Sequence, residues 1–262
     1  MIIKKFMDAW RTAIATSDET HIWNHGYDVT QLMTHAGFTD SIFLLHRGRL
    51  PTAGERRLLD AILVGVADHG AGAPSCAAAR LVASGNRQSF SAAIAAGVLA
   101  IGDEHGGAGM ACMEMIAAGV DFANRESVSI EKAARHTVEE SREYKKRLPG
   151  LGHRVHSTID PRTEVLYSMA RGVGIAANGV AFMEALQQHA CEIIKPISIN
   201  IDGALAAVLY DMGFAASFGM LVFIIGRVAG ISAEVTEEYT REKAMRIRFP
   251  VMYDGVPPRE IE

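Results

Sequence analysis

Alanine-rich stretches broken by helix-starting and helix-stopping residues recur along these 262 residues, and clean two-residue alternation of apolar and polar side chains is nearly absent. Such a pattern leaves little room for half-buried strands and predicts an all-α fold. Thr52-Ala-Gly-Glu55, just after Pro51, is a capping box that launches a helix over 55–67. Its start carries Arg56, Arg57 and Asp60, whereas 61–67 is apolar on every face, as in a helix entering a core. Further helices are predicted from Ser75 to Gly85 and from Ser89 to Gly102. Asp160-Pro161 reads as an N-cap followed by proline at the first helical position. Residues 129–147 are charged and belong at the periphery. Neither a repeat nor a flexible linker is visible, so a single domain over 1–262 is expected, with a smaller helical subregion at about 106–200. A change in character over 148–162 marks a loop suited to carry a site. Residues 197–201 alternate briefly and read as extended before a turn at Asp202-Gly203.

Charge and cysteine usage narrow the function classes. Lys+Arg 26 against Asp+Glu 30 gives −4, and a pI near 6.2 provides no broad cationic field for nucleic acid or anionic lipid. An anionic ligand must then be held by individually placed arginines. Cys76, Cys112 and Cys191 are an odd number with no C-x-x-C pair, which points to a reducing compartment and a cytoplasmic location. Asp8 and Arg11 interrupt the apolar runs near the N-terminus, so no secretory signal is expected. The longest apolar stretch, 212–226, falls short of the ~18–20 residues of a bilayer span and reads as a buried helix.

Four histidines adjoin glycine: His25, His69, His105 and His153. His105 lies between a helix ending at Gly102 and another opening near Ala108. Helix amides there favour a neutral imidazole that donates to a carbonyl or enolate oxygen, although a capping or core role fits the same position. His153 closes Pro149-Gly150-Leu151-Gly152, whose successive amides could cradle a phosphate or an adenine edge. This is not a dinucleotide fingerprint, since Val155 stands where a glycine belongs. His153 and His156 have H-x-x-H spacing without a third ligand, so no metal is expected. Asp202 sits in apolar sequence where burial would raise its pKa toward that of a general acid or base, or it caps the helix that follows. Arg162, Arg227 and Arg248 lie outside charge runs, as carboxylate-binding forks often do, although surface ion pairing is the commoner fate of an arginine. Methionines such as Met113 and Met220 read as core filler.

In order and spacing these segments resemble the citrate synthase superfamily from about Trp23 to Gly255. The matching pieces are His25-Gly-Tyr-Asp28 through Leu50-Pro-Thr52, Asp68-His69-Gly70, His105-Gly-Gly-Ala108, Leu148-Pro-Gly-Leu-Gly-His153 with Asp160-Pro-Arg162, Asn200-Ile-Asp202, Ile225-Gly-Arg227 and Arg248-Phe-Pro250. Within the superfamily, the segments around Arg154, Gly203 and Arg227 are more similar to the citryl-CoA lyase module of ATP-citrate lyase than to full-length synthases, and the chain is much shorter than those synthases. His105 departs from that module, which usually has an aromatic residue there, and Ser157 stands where the family carries a basic residue for a CoA phosphate.

The resemblance implies a citrate synthase-like helical fold and the cleavage of citryl-CoA to acetyl-CoA and oxaloacetate. Catalysis would fall to His105, His153 and Asp202. The substrate carboxylates would be bound by His69, Arg162, Arg227 and, from a partner subunit, Arg248; CoA would contact Pro149, Gly150, Leu151, Gly152 and Arg154. No cofactor or metal is implied beyond the CoA thioester itself, and a homodimer or higher homo-oligomer is expected, with no nucleic-acid or membrane partner. Two alternatives stay open: a citrate or 2-methylcitrate synthase, and a non-catalytic acyl-CoA-binding relative.

Overall fold

The computed structural model describes residues 10–152 and 160–260. Three short strands, β1 (Ala15–Ser17), β2 (Ile22–Asn24) and β3 (Tyr27–Asp28), pair antiparallel in that order, with Ala15 opposite Asn24 and Trp23 opposite Asp28. His25 and Gly26 join β2 to β3 with φ of +45° and +84°. Left-handed values at both central residues of a two-residue loop suit the twist of a hairpin. His25-Gly26 is therefore a turn. Beyond this small sheet the described residues are helical, as expected: α1 (Val29–His35), α2 (Phe38–Arg47), α3 (Ala53–Val66), α4 (Pro74–Gly85), α5 (Phe90–Leu99), α6 (Ala108–Glu126), α7 (Ile130–Glu143), α8 (Pro161–Gly172), α9 (Asn178–Ile193), α10 (Ile201–Asp211) and α11 (Phe218–Arg241).

Local chemistry explains the helix starts. In the capping box of α3, Glu55 N donates to Thr52 Oγ1 at 3.2 Å and Thr52 N donates to Glu55 Oε2 at 2.7 Å. Both Arg49 terminal nitrogens also donate to the Glu55 carboxylate, at 2.6 and 2.9 Å, holding its pKa down to about 2. Ser89 caps α5 and Ser129 caps α7. At α4 the start differs from the sequence expectation: Pro74 takes the first helical position behind Ala73, and Ser75 is buried inside the first turn. The fixed φ of proline sets that boundary. The apolar stretch expected to form a short buried helix lies partly in α11, whose 24 residues are long and apolar enough to cross a membrane by length and composition alone. Half of its most apolar window is buried within the protein, as in a core helix.

The chain divides into two compact units. The first takes the described residues up to Ala67 together with Gly102–Arg227. Its core contains Met113, Ile116, Phe182, Met183, Leu186, Leu205 and Leu209, all essentially without solvent contact. Gly119 on α6 faces the Phe182 ring so closely that a Cβ there would lie 2.1 Å from it. Only glycine lets the two helices meet at that point.

The second unit takes Asp68–Ile101 and the described residues from Val228. A buried guanidinium organises it. Arg80 on α4 pairs with Glu234, with Glu237 at 2.8 Å and with Glu238 at 3.1 Å. Glu238 has no solvent exposure and also takes Arg246 at 2.5 Å. Removing one member of such a cluster strands a buried charge, which costs far more than a surface pair contributes. Arg80→Ala is accordingly expected to lower the unfolding free energy by about 3–5 kcal/mol in urea titration; a loss within error would show that solvent already screens this cluster.

Candidate active site

The site is assembled in the first unit from four helix ends and the loop 148–152. Asp160, the N-cap of α8, is only 1% exposed. Its Oδ1 accepts from Arg162 N at 3.1 Å and Arg162 Nε at 3.0 Å, and its Oδ2 accepts from Arg162 Nη2 at 2.8 Å. Oδ2 also accepts from Ile201 N, at 3.1 Å, in the first turn of α10. One carboxylate thus joins the starts of two helices and fixes the plane of the Arg162 guanidinium, whose Nη1 donates to Gly65 O at 3.2 Å. Burial works to raise the Asp160 pKa, but the hydrogen bonds and positive charge of Arg162, with the Ile201 amide, prevail and hold it below the ordinary carboxylate value.

Asp202 stands in the first turn of α10. The cap of that helix is Asn200, whose Oδ1 accepts from Gly203 N at 3.0 Å, so the capping role considered for Asp202 belongs to its neighbour. Removal from water raises the Asp202 pKa above the ordinary value; Arg162 opposes this, Asp160 reinforces it and Arg227 opposes it. Two carboxyls at adjoining helix ends are therefore driven in opposite directions. Such a divergence lets neighbouring carboxyls of one site differ in how readily they hold a proton.

Close backbone approach brings the loop 148–152 onto this helix end. Asn200 N donates to Gly150 O at 3.0 Å, Asn200 Nδ2 to Gly152 O at 2.6 Å, and Gly152 N to Ser198 O at 2.7 Å. Gly150 has φ of +84°, and a Cβ there would lie 2.7 Å from both Gly203 Cα and Cys112 Sγ. A Cβ on Gly203 would lie 2.4 Å from Gly150 O. The amides of Leu151 and Gly152, read from sequence as a cradle, donate to Leu148 O and Ser198 O. What the loop gains is a fixed path past Asp202.

His105 precedes α6 in a tight loop. Gly102 and His105 exchange backbone hydrogen bonds of 2.9 Å, Gly107 N donates to Gly102 O at 3.0 Å, and Gly106 has φ of +88°. This loop replaces the last turn of the helix expected to reach Gly102. Gly109 and Gly219 then press backbone to backbone, a Cβ on Gly109 reaching 2.8 Å from Gly219 O, which sets the start of α6 against the start of α11. Phe223 and Arg227 follow Gly219 at successive four-residue steps along α11, so they share a face. The His105 ring meets the Phe223 ring edge-on at 5.6 Å, and Arg227 lies over that ring at 4.6 Å. Arg227 is 2% exposed, and its Nε donates to Val66 O at 2.8 Å.

The structure therefore brings His105, Arg162, Asp202, Arg227 and the loop 149–152 into one unit. His69 and Arg248 belong to the other; Arg248 is exposed. His153 and Arg154 lie outside the described residues. Asp160 was legible in the sequence only as a cap, although its place before Pro161 and Arg162 was the available signal. Phe223 carried no sequence signal beyond its apolar character. The second unit also groups Asp68, Cys76 and Glu234, with ligand atoms within 4.8 Å of one another, but Arg80 already supplies the positive charge on Glu234.

Comparison with known proteins gives the family. The family model described as citrate synthase, C-terminal domain, matches residues 53–248. This chain belongs to the citrate synthase family. A solved structure of citryl-CoA lyase from Hydrogenobacter thermophilus is 39% identical, with 97% of each chain covered and a TM-score of 0.88. ATP citrate lyase from Methanothrix soehngenii, solved with citrate and coenzyme A, shares the fold at 18% identity and a TM-score of 0.73, covering 96% of this chain and 44% of that one. Citrate synthase of Deinococcus radiodurans is 29% identical over 85% of this chain and 56% of its own length. The chain spans about half the length of the curated relatives it matches.

Replacing Asp160 tests the anchor. A group whose pKa is lower folded than unfolded stabilises the fold above its unfolded pKa and loses that contribution as pH falls through the folded value. Asp160→Asn is expected to destabilise the protein by about 3 kcal/mol at pH 7, a gap that narrows below about pH 3.9. Unfolding curves at several pH values measure this directly, and a gap independent of pH would contradict it.

Proposed function

We propose that this protein is a citryl-CoA lyase that cleaves citryl-CoA to acetyl-CoA and oxaloacetate. The observation that carries the reading is the match to a citryl-CoA lyase over 97% of each chain at 39% identity. The divergent carboxyls support it chemically. Cleavage takes a proton from the citryl hydroxyl and breaks the bond between the carbinol carbon and the thioester α-carbon. Oxaloacetate leaves as a ketone, and the electron pair forms the acetyl-CoA enolate. Asp202, whose hold on a proton is strengthened by its burial, delivers a proton to the enolate carbon. His105, at the start of α6, donates to the thioester oxygen where charge accumulates. His153 takes the hydroxyl proton, a role implied by the resemblance of Leu148-Pro-Gly-Leu-Gly-His153 to the family's loop.

Arg162 and Arg227 bind substrate carboxylates in this scheme, with Asp160 as the positioning residue for Arg162. His69 contacts the same polar head, and Arg248 is supplied by the partner of a homodimer. No metal or redox group is needed for these steps. Three cysteines without a disulfide accord with a cytoplasmic enzyme.

A synthase is the second reading, favoured by His105, which stands where the lyase module of ATP-citrate lyase usually has an aromatic residue, and by citrate and 2-methylcitrate synthases among the relatives. Product analysis by mass spectrometry separates the two. The lyase converts citryl-CoA to acetyl-CoA and oxaloacetate without releasing free CoA thiol; net citrate formation with thiol release from acetyl-CoA plus oxaloacetate would overturn it.

Asp202→Asn is expected to lower turnover by about 10²–10⁴-fold while citrate and CoA still bind. The same variant should unfold at higher temperature than the wild type at pH 7. A carboxyl whose pKa is raised by folding costs stability increasingly as pH climbs from its unfolded pKa to the raised folded value and fully above it, so the advantage should vanish below about pH 3.9. Unimpaired turnover would refute the proton-carrier role.

A further inference from the structure

Cys112 is a buried thiol that the proposed chemistry does not use. It stands in the second turn of α6, the helix whose start follows His105, and it has no solvent exposure. Its sulfur lies where the loop 148–152 crosses the first turn of α10. A Cβ on Gly150 would be 2.7 Å from Cys112 Sγ and 2.7 Å from Gly203 Cα. Neither distance leaves room for a Cβ, so the sulfur, the loop backbone and the helix backbone already fill the crossing. On α9, Met183 Sδ accepts from the thiol at 3.7 Å, a weak contact between two polarisable sulfurs. Three helices and one loop of the first unit thus meet at a single side chain.

Asp202 directly precedes Gly203, so this packing adjoins the carboxyl. Removal from water, and then the Asp202 charge, push the Cys112 thiol well above its ordinary value. The thiol therefore stays neutral and acts as a small hydrophobe, not as a nucleophile. Tyr167 of α8, also buried, has its hydroxyl raised by desolvation and then by Cys112. The charged groups that face Asp202 from other elements are Arg162 and Asp160 at the start of α8 and Arg227 on α11. The two guanidinium groups favour the ionised carboxyl, and what outweighs them is removal from water. Cys112 contributes to that removal by filling the adjoining crossing with sulfur instead of a strongly polar group.

We propose that Cys112 is a positioning residue for Asp202: its thiol wedges the loop 148–152 against the first turn of α10 and keeps a near-apolar surface beside the carboxyl. Shape and polarity then have separate effects. The volume of the sulfur sets where Asp202 stands relative to the helix that follows His105, and its weak polarity sets how firmly Asp202 holds a proton. The use of that proton on an enolate rests on the lyase reading; the packing and its influence on Asp202 do not.

Two variants of the full chain separate these effects. Cys112→Ser keeps the shape and replaces a weak donor by a strong one; Cys112→Ala keeps the apolar surface and removes the sulfur. Each is combined with Asp202→Asn, and urea titration at several pH values measures how far that exchange stabilises each background. In the Cys112→Ser background the stabilisation at pH 7 is expected to shrink by about half, because a better-solvated carboxyl costs less to ionise, whereas in the Cys112→Ala background it persists. Turnover of citryl-CoA against pH is the second readout. Its alkaline limb, where Asp202 loses its proton, should move at least about half a unit lower for Cys112→Ser and stay in place for Cys112→Ala. Cys112→Ala should instead lower kcat about fivefold with KM changed less than about twofold, as expected when a reacting group is slightly displaced. Equal effects of the two variants on the Asp202→Asn stabilisation, or a Cys112→Ala enzyme with unchanged kcat, would mark the sulfur as core filler alone and overturn the proposal. A protein inactive on citryl-CoA whose Asp202→Asn stabilisation still shrinks with Cys112→Ser and persists with Cys112→Ala refutes the lyase reading alone.

Discussion

A single buried carboxylate, Asp160, ties the start of α8 to the start of α10 and fixes Arg162 between them. Neither helix is adjacent to the other in sequence, yet each delivers a functional side chain within its first turn. An N-terminal turn has amide donors with no partner inside the helix, and a carboxylate is the group best suited to receive them. Asp160 receives them from two helices at once. Its strong coordination explains why it stays ionised although it is 1% exposed.

Asp202 is the counterpart. Arg162 and Arg227 both favour its charged form, but desolvation dominates its titration. The difference between the two groups is one of position. Asp160 caps a helix and has amides aimed at it, whereas Asp202 stands two residues past a cap that Asn200 already occupies. Local helix geometry thus ties one carboxyl into the structure and leaves the other with a raised pKa.

Much of this was legible in the sequence wherever the signal was local. The Thr52–Glu55 box, the Ser89 cap and the Asp160-Pro161 start all reflect interactions within four residues, and they appear as read. The candidate residues His105, Arg162, Asp202 and Arg227 were identifiable because their segments resemble a known family. Contacts between distant segments were not legible. The approach of Gly150 to Gly203, the edge of His105 against Phe223 and the second function of Asp160 depend on chain portions separated by tens of residues. The hairpin escaped notice because strands of two or three residues are too short to show alternation. Ser75 does not cap its helix because the proline before it fixes the helix start two residues earlier than a Ser75 cap would.

The glycine pairs bear on how such a protein can diverge. At Gly109–Gly219 and Gly150–Gly203 main chain rests on main chain, so even one added methyl group must force two helix ends, or a loop and a helix end, apart. Neither member can change alone without displacing what its partner supports. Natural drift and laboratory libraries should therefore find these four positions closed, with variation confined to side chains that do not hold main chain against main chain.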